Sequence, residues 1–312
     1  MSGISREEAL FFDVAHEGAQ IRAVGQAAQS LAALTGLQPR SVVVLATDSI
    51  AAAAARALCD FASPLEMPVV VADVLPAYVG PLDVVVVVGA NAGRDEDLRA
   101  LITAADRGAE TILAGPAQGP LLDDAPRATT VIPALPAVAG TSALRTCAVV
   151  GAVLAVLRHP AAEVAERFDA IASEVDVELE AASPQRDAAV NAARALCVHA
   201  DGGRVLHTGF GRAGSAVAGL AAALWSVNGI PSAAVDDIFY DPYIDGPSEL
   251  VGLTTVVWSC EVADPVASAG SRVEAVETDS TDVAARAARL VARAYAATAL
   301  SADTADAADA AE

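Results

Sequence analysis

The chain has 312 residues and a formal net charge of −21, from 19 Lys and Arg against 40 Asp and Glu. This charge argues against a nucleic-acid partner, because phosphate backbones are bound by clustered Lys and Arg, and the sequence has no basic stripe. Hydrophobic residues make up 54% of the chain, but most of the excess is alanine, and no run of roughly twenty residues is continuously apolar. We therefore expect a globular protein with no membrane partner.

Neither a secretion signal nor a metal site is indicated. The residues around Arg6, Glu7 and Glu8 lack the basic start and small-residue cleavage site of a secretory signal, so we expect a cytoplasmic protein. The cysteines and histidines are scattered without metal-ligand spacing, which predicts reduced thiols and no metal. They are Cys59, Cys147, Cys197 and Cys260, with His16, His159, His199 and His207.

Helical and strand patterns alternate through the first half. A helix is predicted from Arg6 to Leu37, with Gly36 as its stop. Short β-branched runs then predict five strands separated by helices. The continuous valines of the third run indicate a strand buried on both faces, as in parallel sheets. The five predicted strands cover residues 41–46, 68–71, 82–88, 110–114 and 128–132.

The second half repeats this architecture after a helical connection. An apolar helix is predicted over 141–157, with Arg145 in its first turns, and helical patterns follow at 161–179 and 185–200. A glycine-rich turn then separates a strand from a helix, as polar turns do in the first half. The predicted strands of this half cover residues 204–208, 232–235, 253–260 and 272–276, and the helices cover 216–227 and 282–297.

Together these patterns predict an α/β fold of two doubly wound domains, each a mainly parallel sheet flanked by helices. We place the domain boundary near Arg158, so the predicted domains are 1–158 and 159–300. Residues 301–312 contain several acids and no apolar side chain larger than alanine. This tail is predicted to be disordered.

Three polar turns follow predicted strands and could bind phosphate. Ligands of open α/β sheets lie beyond the carboxyl ends of the strands, where N–H groups at helix N-termini bind anions. Each turn also has a simpler explanation, since helices need capping residues in any parallel-sheet protein. The candidate residues are Thr47, Asp48 and Ser49 in the first turn, Gly89, Asn91 and Arg94 in the second, and Thr208, Gly209, Gly211, Arg212, Gly214 and Ser215 in the third.

The third turn also fits a dinucleotide-binding fingerprint. Gly209, Gly211 and Gly214 have the G-x-G-x-x-G spacing between a strand and a helix, and Asp236 lies about twenty residues onward. An NAD-dependent oxidoreductase therefore stays open as an alternative. The duplicated architecture argues against it, because the fingerprint would then open the second domain rather than the first.

The stretch VLHTGFGRAGS, from Val205 to Ser215, resembles the glycine-arginine-serine turn of sugar-isomerase (SIS) phosphosugar-binding domains. The first half resembles another such domain. Two SIS halves, the run PLDVVVVV at 81–88 and the sequence ELVG from Glu249 to Gly252 together resemble the bifunctional phosphoglucose/phosphomannose isomerases. The resemblance implies a cytoplasmic homodimer that binds a phosphorylated sugar and needs no cofactor.

In that family a glutamate moves a proton between C1 and C2, a histidine assists ring opening and an arginine steadies the charged intermediate. Arg145 matches the arginine, and Glu249 or an acid in 236–245 could replace the base. The positions of the family's glutamate and histidine read LWSVN at 224–228 and GPS at 246–248. One expectation is therefore an aldose-ketose isomerase of glucose-6-phosphate and mannose-6-phosphate. The alternative is a non-catalytic binding or assembly protein of the same fold.

Overall fold

A computed structural model describes residues 4–91, 93–136, 140–235, 253–261, 271–278 and 280–302. Within these ranges the chain forms nine strands and ten α-helices, and no helix there is long and apolar enough to cross a bilayer. The strands are β1 (Ser41–Ala46), β2 (Val69–Ala72), β3 (Asp83–Val88), β4 (Glu110–Ala114), β5 (Thr130–Val131), β6 (Arg204–Phe210), β7 (Ser232–Ala234), β8 (Leu253–Ser259) and β9 (Ser271–Glu274). The helices are α1 (Arg6–Val14), α2 (Glu17–Ala27), α3 (Ser49–Phe61), α4 (Asp95–Asp106), α5 (Pro120–Asp123), α6 (Ala143–Val156), α7 (Ala161–Ala181), α8 (Ala192–Ala200), α9 (Gly211–Val227) and α10 (Val283–Ala299).

One compact unit, Glu17–Ala172, is built on a five-stranded sheet and is called the first-sheet unit. Its strands lie in the order β2-β1-β3-β4-β5, and every neighbouring pair is parallel. All residues of β1 and β3 are buried, which confirms that the valine run is a strand covered on both faces. The apolar helix α6 packs against α2 and α3. Its first turn lies near the end of β4, because the Arg145 guanidinium donates to the Ala114 carbonyl.

The other compact unit joins Met1–His16 to Ser173–Glu312 and is called the second-sheet unit. Its parallel sheet has the order β7-β6-β8-β9, and α9, α10 and α1 pack around it in succession. Parallel sheets flanked by helices confirm the α/β class. The two units differ from the predicted domains 1–158 and 159–300, because α1 groups with the second sheet and the division falls inside α7. The domain assignment stays a prediction.

The opening segment differs most from its prediction. Instead of one helix it forms α1, α2 and a 3₁₀ helix, Ala28–Leu34. The break follows Val14, where the His16 N–H bonds to the Asp13 carbonyl at 3.2 Å rather than continuing the α-helical pattern. The His16 ring also lies 2.7 Å from the Phe12 carbonyl oxygen. A local side-chain bond of this kind competes with the helix, and periodicity alone does not reveal it.

A fully buried histidine lies in the second sheet. His207 on β6 is enclosed by Trp225 and Trp258, with ring centroids at 4.9 and 5.9 Å. The Trp258 indole N–H donates to His207 Nδ1 at 3.1 Å, so the ring proton is on Nε2, which has no partner among the described residues. Burial lowers the pKa of His207 to about 3. The native state therefore keeps this imidazole neutral.

We expect the stability of the second-sheet unit to fall on mild acidification because of His207. The unfolded chain protonates this side chain near pH 6.5, whereas the native state holds its pKa near 3. Stability is therefore full above pH 6.5 and decreases as the pH falls, by about 1.4 kcal/mol at pH 5.5. Urea unfolding followed by tryptophan fluorescence between pH 5 and 8 measures the slope. His207→Gln should flatten it, and an unchanged slope in that variant would refute the assignment.

Candidate functional site

Three segments meet beyond the carboxyl ends of β1 and β3, and they meet on the carboxylate of Asp48. Asp48 caps α3, and its Oδ1 accepts a hydrogen bond from the Ala51 N–H at 2.9 Å. Its Oδ2 accepts from the Ala90 N–H at 2.9 Å, after β3, and from the Thr141 hydroxyl at 3.0 Å, before α6. Three donors that could have bound a phosphate between these turns are thus bound to a carboxylate of the chain itself.

Three other predicted residues of the first two turns, Thr47, Asn91 and Arg94, also bind within the chain. The Thr47 hydroxyl accepts from the Asn91 N–H at 3.2 Å, and a Cβ added to Gly89 would lie 2.3 Å from that same hydroxyl oxygen. The φ angle of Gly89, 128°, also requires glycine. The Arg94 guanidinium lies 3.5 Å from the Thr47 carbonyl oxygen and pairs with acids of α4, while Ser49 is exposed. Phosphate binding by these residues stays a prediction.

Arg145 lies in the first turn of α6 and is buried, with 7% of its surface exposed. Its Nη1 donates to the Ala114 carbonyl at the end of β4, and its Nη2 donates to the Ile132 carbonyl after β5, both at 2.9 Å. Its Nε–H is buried and has no partner among the described residues. Burial lowers the pKa of Arg145 to about 10, so the guanidinium is still charged at neutral pH. The strands thus hold a buried cation by two of its five donors.

A small pocket opens at this edge of the sheet, and Arg145 lines it together with segments that follow β3 and β4. Its volume is about 30 Å³, which is room for a few water-sized groups or one oxyanion. Among the described residues, Arg145 is the single charged side chain in the lining. The pocket lining therefore contributes one positive charge, and the pocket is suited in size to one anionic group.

The lining also includes Gln20 of α2, which was not among the residues predicted for a site. Gln20 is 3% exposed, and its Oε1 is buried without a hydrogen-bond donor from the described residues. One turn earlier, the Glu17 carboxylate accepts from the Leu144 N–H at 2.9 Å, which anchors α2 to the start of α6. The sequence signal was spacing: Glu17 and Gln20 share a helix face with the apolar Ile21 and Val24, and polar groups on a buried face need partners.

The glycine turn of the second sheet is a close crossing of backbone segments. A Cβ on Gly209 would lie 1.9 Å from the carbonyl carbon of Gly214, and one on Gly214 would lie 2.4 Å from the Trp258 carbonyl oxygen. Gly211 has φ 61°, and a Cβ there would lie 3.1 Å from Oε1 of Glu261. Packing and backbone angle therefore account for these glycines. The Glu261 carboxylate lies beside Gly211 at the start of α9, where a bound dinucleotide would place its pyrophosphate. Repulsion between these negative charges disfavours a dinucleotide there.

The other predicted residues of this turn are distributed over its surface and interior. Thr208 is buried, and its hydroxyl has no partner in the described part of the chain. Arg212 is exposed in the first turn of α9, and Ser215 binds back to the preceding strand. The acids predicted as a substitute base, Glu249 and those of 236–245, lie outside the described residues. The structure therefore brings Arg145 and Gln20 into one pocket of the first-sheet unit, whereas the glycine turn belongs to the second-sheet unit.

Comparison with protein-family models gives no match, and comparison with curated proteins gives none either. Solved structures do match. The C-terminal domain of glucosamine-fructose-6-phosphate aminotransferase from Francisella tularensis aligns with a TM-score of 0.64 and 11% identity, over 93% of this chain and 94% of that one. Tagatose-6-phosphate ketose/aldose isomerase from Escherichia coli aligns with a TM-score of 0.64 and 14% identity, over 94% and 92%. The chain therefore has the fold of these two proteins, consistent with the fold that the SIS resemblance implies.

Proposed function

We propose that this protein binds a phosphorylated sugar at the carboxyl edge of its first sheet, with the anionic group of the sugar on Arg145. One observation carries the proposal: a buried guanidinium lines a small pocket with an Nε–H that lacks a described partner. An unpaired buried charge costs free energy, and a bound anion would relieve that cost. The sugar-phosphate proteins named above, which share the fold, support the ligand class.

Isomerisation of glucose-6-phosphate or mannose-6-phosphate is the finer form of this proposal. Proton transfer between sugar carbons needs a base within hydrogen-bond reach of the substrate. The described lining of the pocket contains no carboxylate and no imidazole, so the base would have to come from Glu249 or its neighbours. We therefore propose binding first, and isomerisation only with such a base. The homodimer likewise stays a prediction.

Differential scanning calorimetry with fructose-6-phosphate, glucose-6-phosphate, mannose-6-phosphate, inorganic phosphate and NADH tests the proposal. A ligand at 100 times its Kd stabilises the native state by about 2.7 kcal/mol. We expect at least one hexose phosphate to raise the melting temperature and NADH to leave it unchanged. In Arg145→Met the affinity should fall about 10- to 100-fold, because a charge-assisted hydrogen bond is lost.

Arg56→Met is the matched control, because Arg56 is exposed on α3 of the same unit. It removes one positive charge without changing the pocket, so hexose-phosphate affinity should stay within about twofold. Arg145→Lys keeps the charge but not the Nε–H, and should bind with intermediate affinity. The absence of a shift with every hexose phosphate would refute the proposed function. A shift that survives in Arg145→Met would place the site elsewhere.

A further inference from the structure

A second residue that lines the pocket on the first sheet also has a buried polar atom without a partner. Gln20 and Arg145 both line the pocket, and neither Oε1 of Gln20 nor the Nε–H of Arg145 has a hydrogen-bond partner among the described residues. Most buried polar groups in native proteins are hydrogen-bonded, so each exception needs an explanation. Here the two exceptions lie in one pocket and are of opposite kind, since one is an acceptor and the other is a donor.

The surrounding contacts hold both groups in place. Arg145 is fixed by the carbonyls of Ala114 and Ile132, at 2.9 Å each. Gln20 lies one helical turn from Glu17, whose carboxylate is fixed by the Leu144 N–H at 2.9 Å. The amide of Gln20 carries no charge, so it does not neutralise the guanidinium as a carboxylate would. The pocket lining thus combines a fixed cation with a neutral acceptor carried on an anchored helix.

A partner that satisfies both atoms must carry an anionic oxygen and a hydrogen-bond donor. Methyl phosphate as a dianion has the first and lacks the second. A sugar phosphate has both, because hydroxyl groups lie within a few bonds of its phosphate. The pocket volume of about 30 Å³ suits this anionic end of a sugar, while the rest of the ligand would lie outside the pocket.

We propose that Gln20 is a specificity-determining residue, whose carbonyl oxygen accepts a hydrogen bond from a ligand hydroxyl while the anionic group of the same ligand binds Arg145. This inference rests on the proposed function and narrows its ligand class. The ligand is a phosphate monoester of a polyhydroxy compound with a free hydroxyl near the phosphate. Methyl phosphate, an ester without a hydroxyl group, binds less tightly, because it leaves the buried acceptor unpaired.

Isothermal titration of Gln20→Met with a hexose phosphate and with methyl phosphate tests the role. Methionine keeps the length of the side chain and removes the acceptor. Affinity for the hexose phosphate should fall about tenfold, the value of one hydrogen bond, and affinity for methyl phosphate should stay within about twofold. The ligand-free variant should melt at the same or a higher temperature, because an unsatisfied buried acceptor is removed. Gln26→Met, an exposed position on the same helix, is the control and should change neither affinity.

A second variant, Gln20→Glu, places a carboxylate beside the guanidinium, and the resulting ion pair should abolish binding of both ligands. Unchanged hexose-phosphate affinity in Gln20→Met, or a parallel loss of both ligands there, would overturn the role of Gln20 and leave the proposed function standing. A lower melting temperature with unchanged selectivity would indicate a structural glutamine, bridged by water, and would also overturn it. A wild-type protein that binds neither ligand would refute the proposed function itself.

Discussion

Replacing Arg293 with methionine should lower the free energy of unfolding of the second-sheet unit by about 3 kcal/mol. Arg293 on α10 is 9% exposed; its Nε donates to Glu178 and its Nη1 to Glu274, both at 2.7 Å. Both glutamates are buried as well, so methionine would leave them with fewer partners. Arg289 still pairs with Glu178, and Arg272 with Glu274. These remaining pairs keep the expected loss at the low end of the range for broken buried ion pairs.

Urea unfolding followed by tryptophan fluorescence measures this loss, because the two tryptophans of the chain, Trp225 and Trp258, both belong to the second-sheet unit. Arg186→Met, at an exposed position of that unit, should change stability by less than about 0.5 kcal/mol. Lysine in Arg293→Lys keeps the positive charge but lacks the planar guanidinium that donates to both glutamates. The stability of this variant should therefore lie between those of the wild type and Arg293→Met. An Arg293→Met protein as stable as the Arg186→Met control would contradict the argument.

The ion-pair network illustrates what the sequence could not predict. Glu178, Glu274 and Arg293 come from α7, β9 and α10, and no local pattern links them. The strands were predictable because burial on both faces leaves continuous β-branched runs, as in β3. The strand order within each sheet could not be predicted, because it depends on pairings between segments that are distant in the sequence. The break after Val14 was missed, because a few local hydrogen bonds decide it, whereas the strand predicted over 128–132 was found but is shorter, Thr130–Val131.

The site was predictable in part, and for a different reason. Arg145 was expected because it matches the arginine of the isomerase family that the sequence resembles, and it lines a pocket of the first-sheet unit. The turn residues Thr47 and Asn91 were expected from the general position of ligands in α/β sheets. Side-chain geometry decides what they do: the hydroxyl of Thr47 binds Asn91, and the carboxylate of Asp48 takes the neighbouring donors. Gln20 required the structure, because only packing shows that its amide has no partner.

Gly209→Ala should destabilise the second-sheet unit by about 3 kcal/mol or more, or prevent its folding. The added Cβ would lie 1.9 Å from the carbonyl carbon of Gly214 and 2.2 Å from the amide nitrogen of Ser215. Overpacking against a flexible side chain can relax by a rotamer change, but both of these atoms belong to the backbone of α9. Relief would therefore require the start of α9 to move away from β6. Urea unfolding followed by the fluorescence of Trp225 and Trp258 measures the effect.

Gly219→Ala on the same helix is a control with the opposite expected sign. Gly219 is exposed, and an added Cβ would have no atom of another described segment within 4 Å. Alanine is also favoured over glycine inside a helix by about 0.5–1 kcal/mol. A stabilised Gly219→Ala beside a destabilised Gly209→Ala, both measured without ligand, would show that packing requires the glycine of the turn. Equal stability of Gly209→Ala and wild type would refute the close crossing of β6 and α9. A role for Gly209 in approach to a ligand, as in dinucleotide-binding turns, would then regain its support.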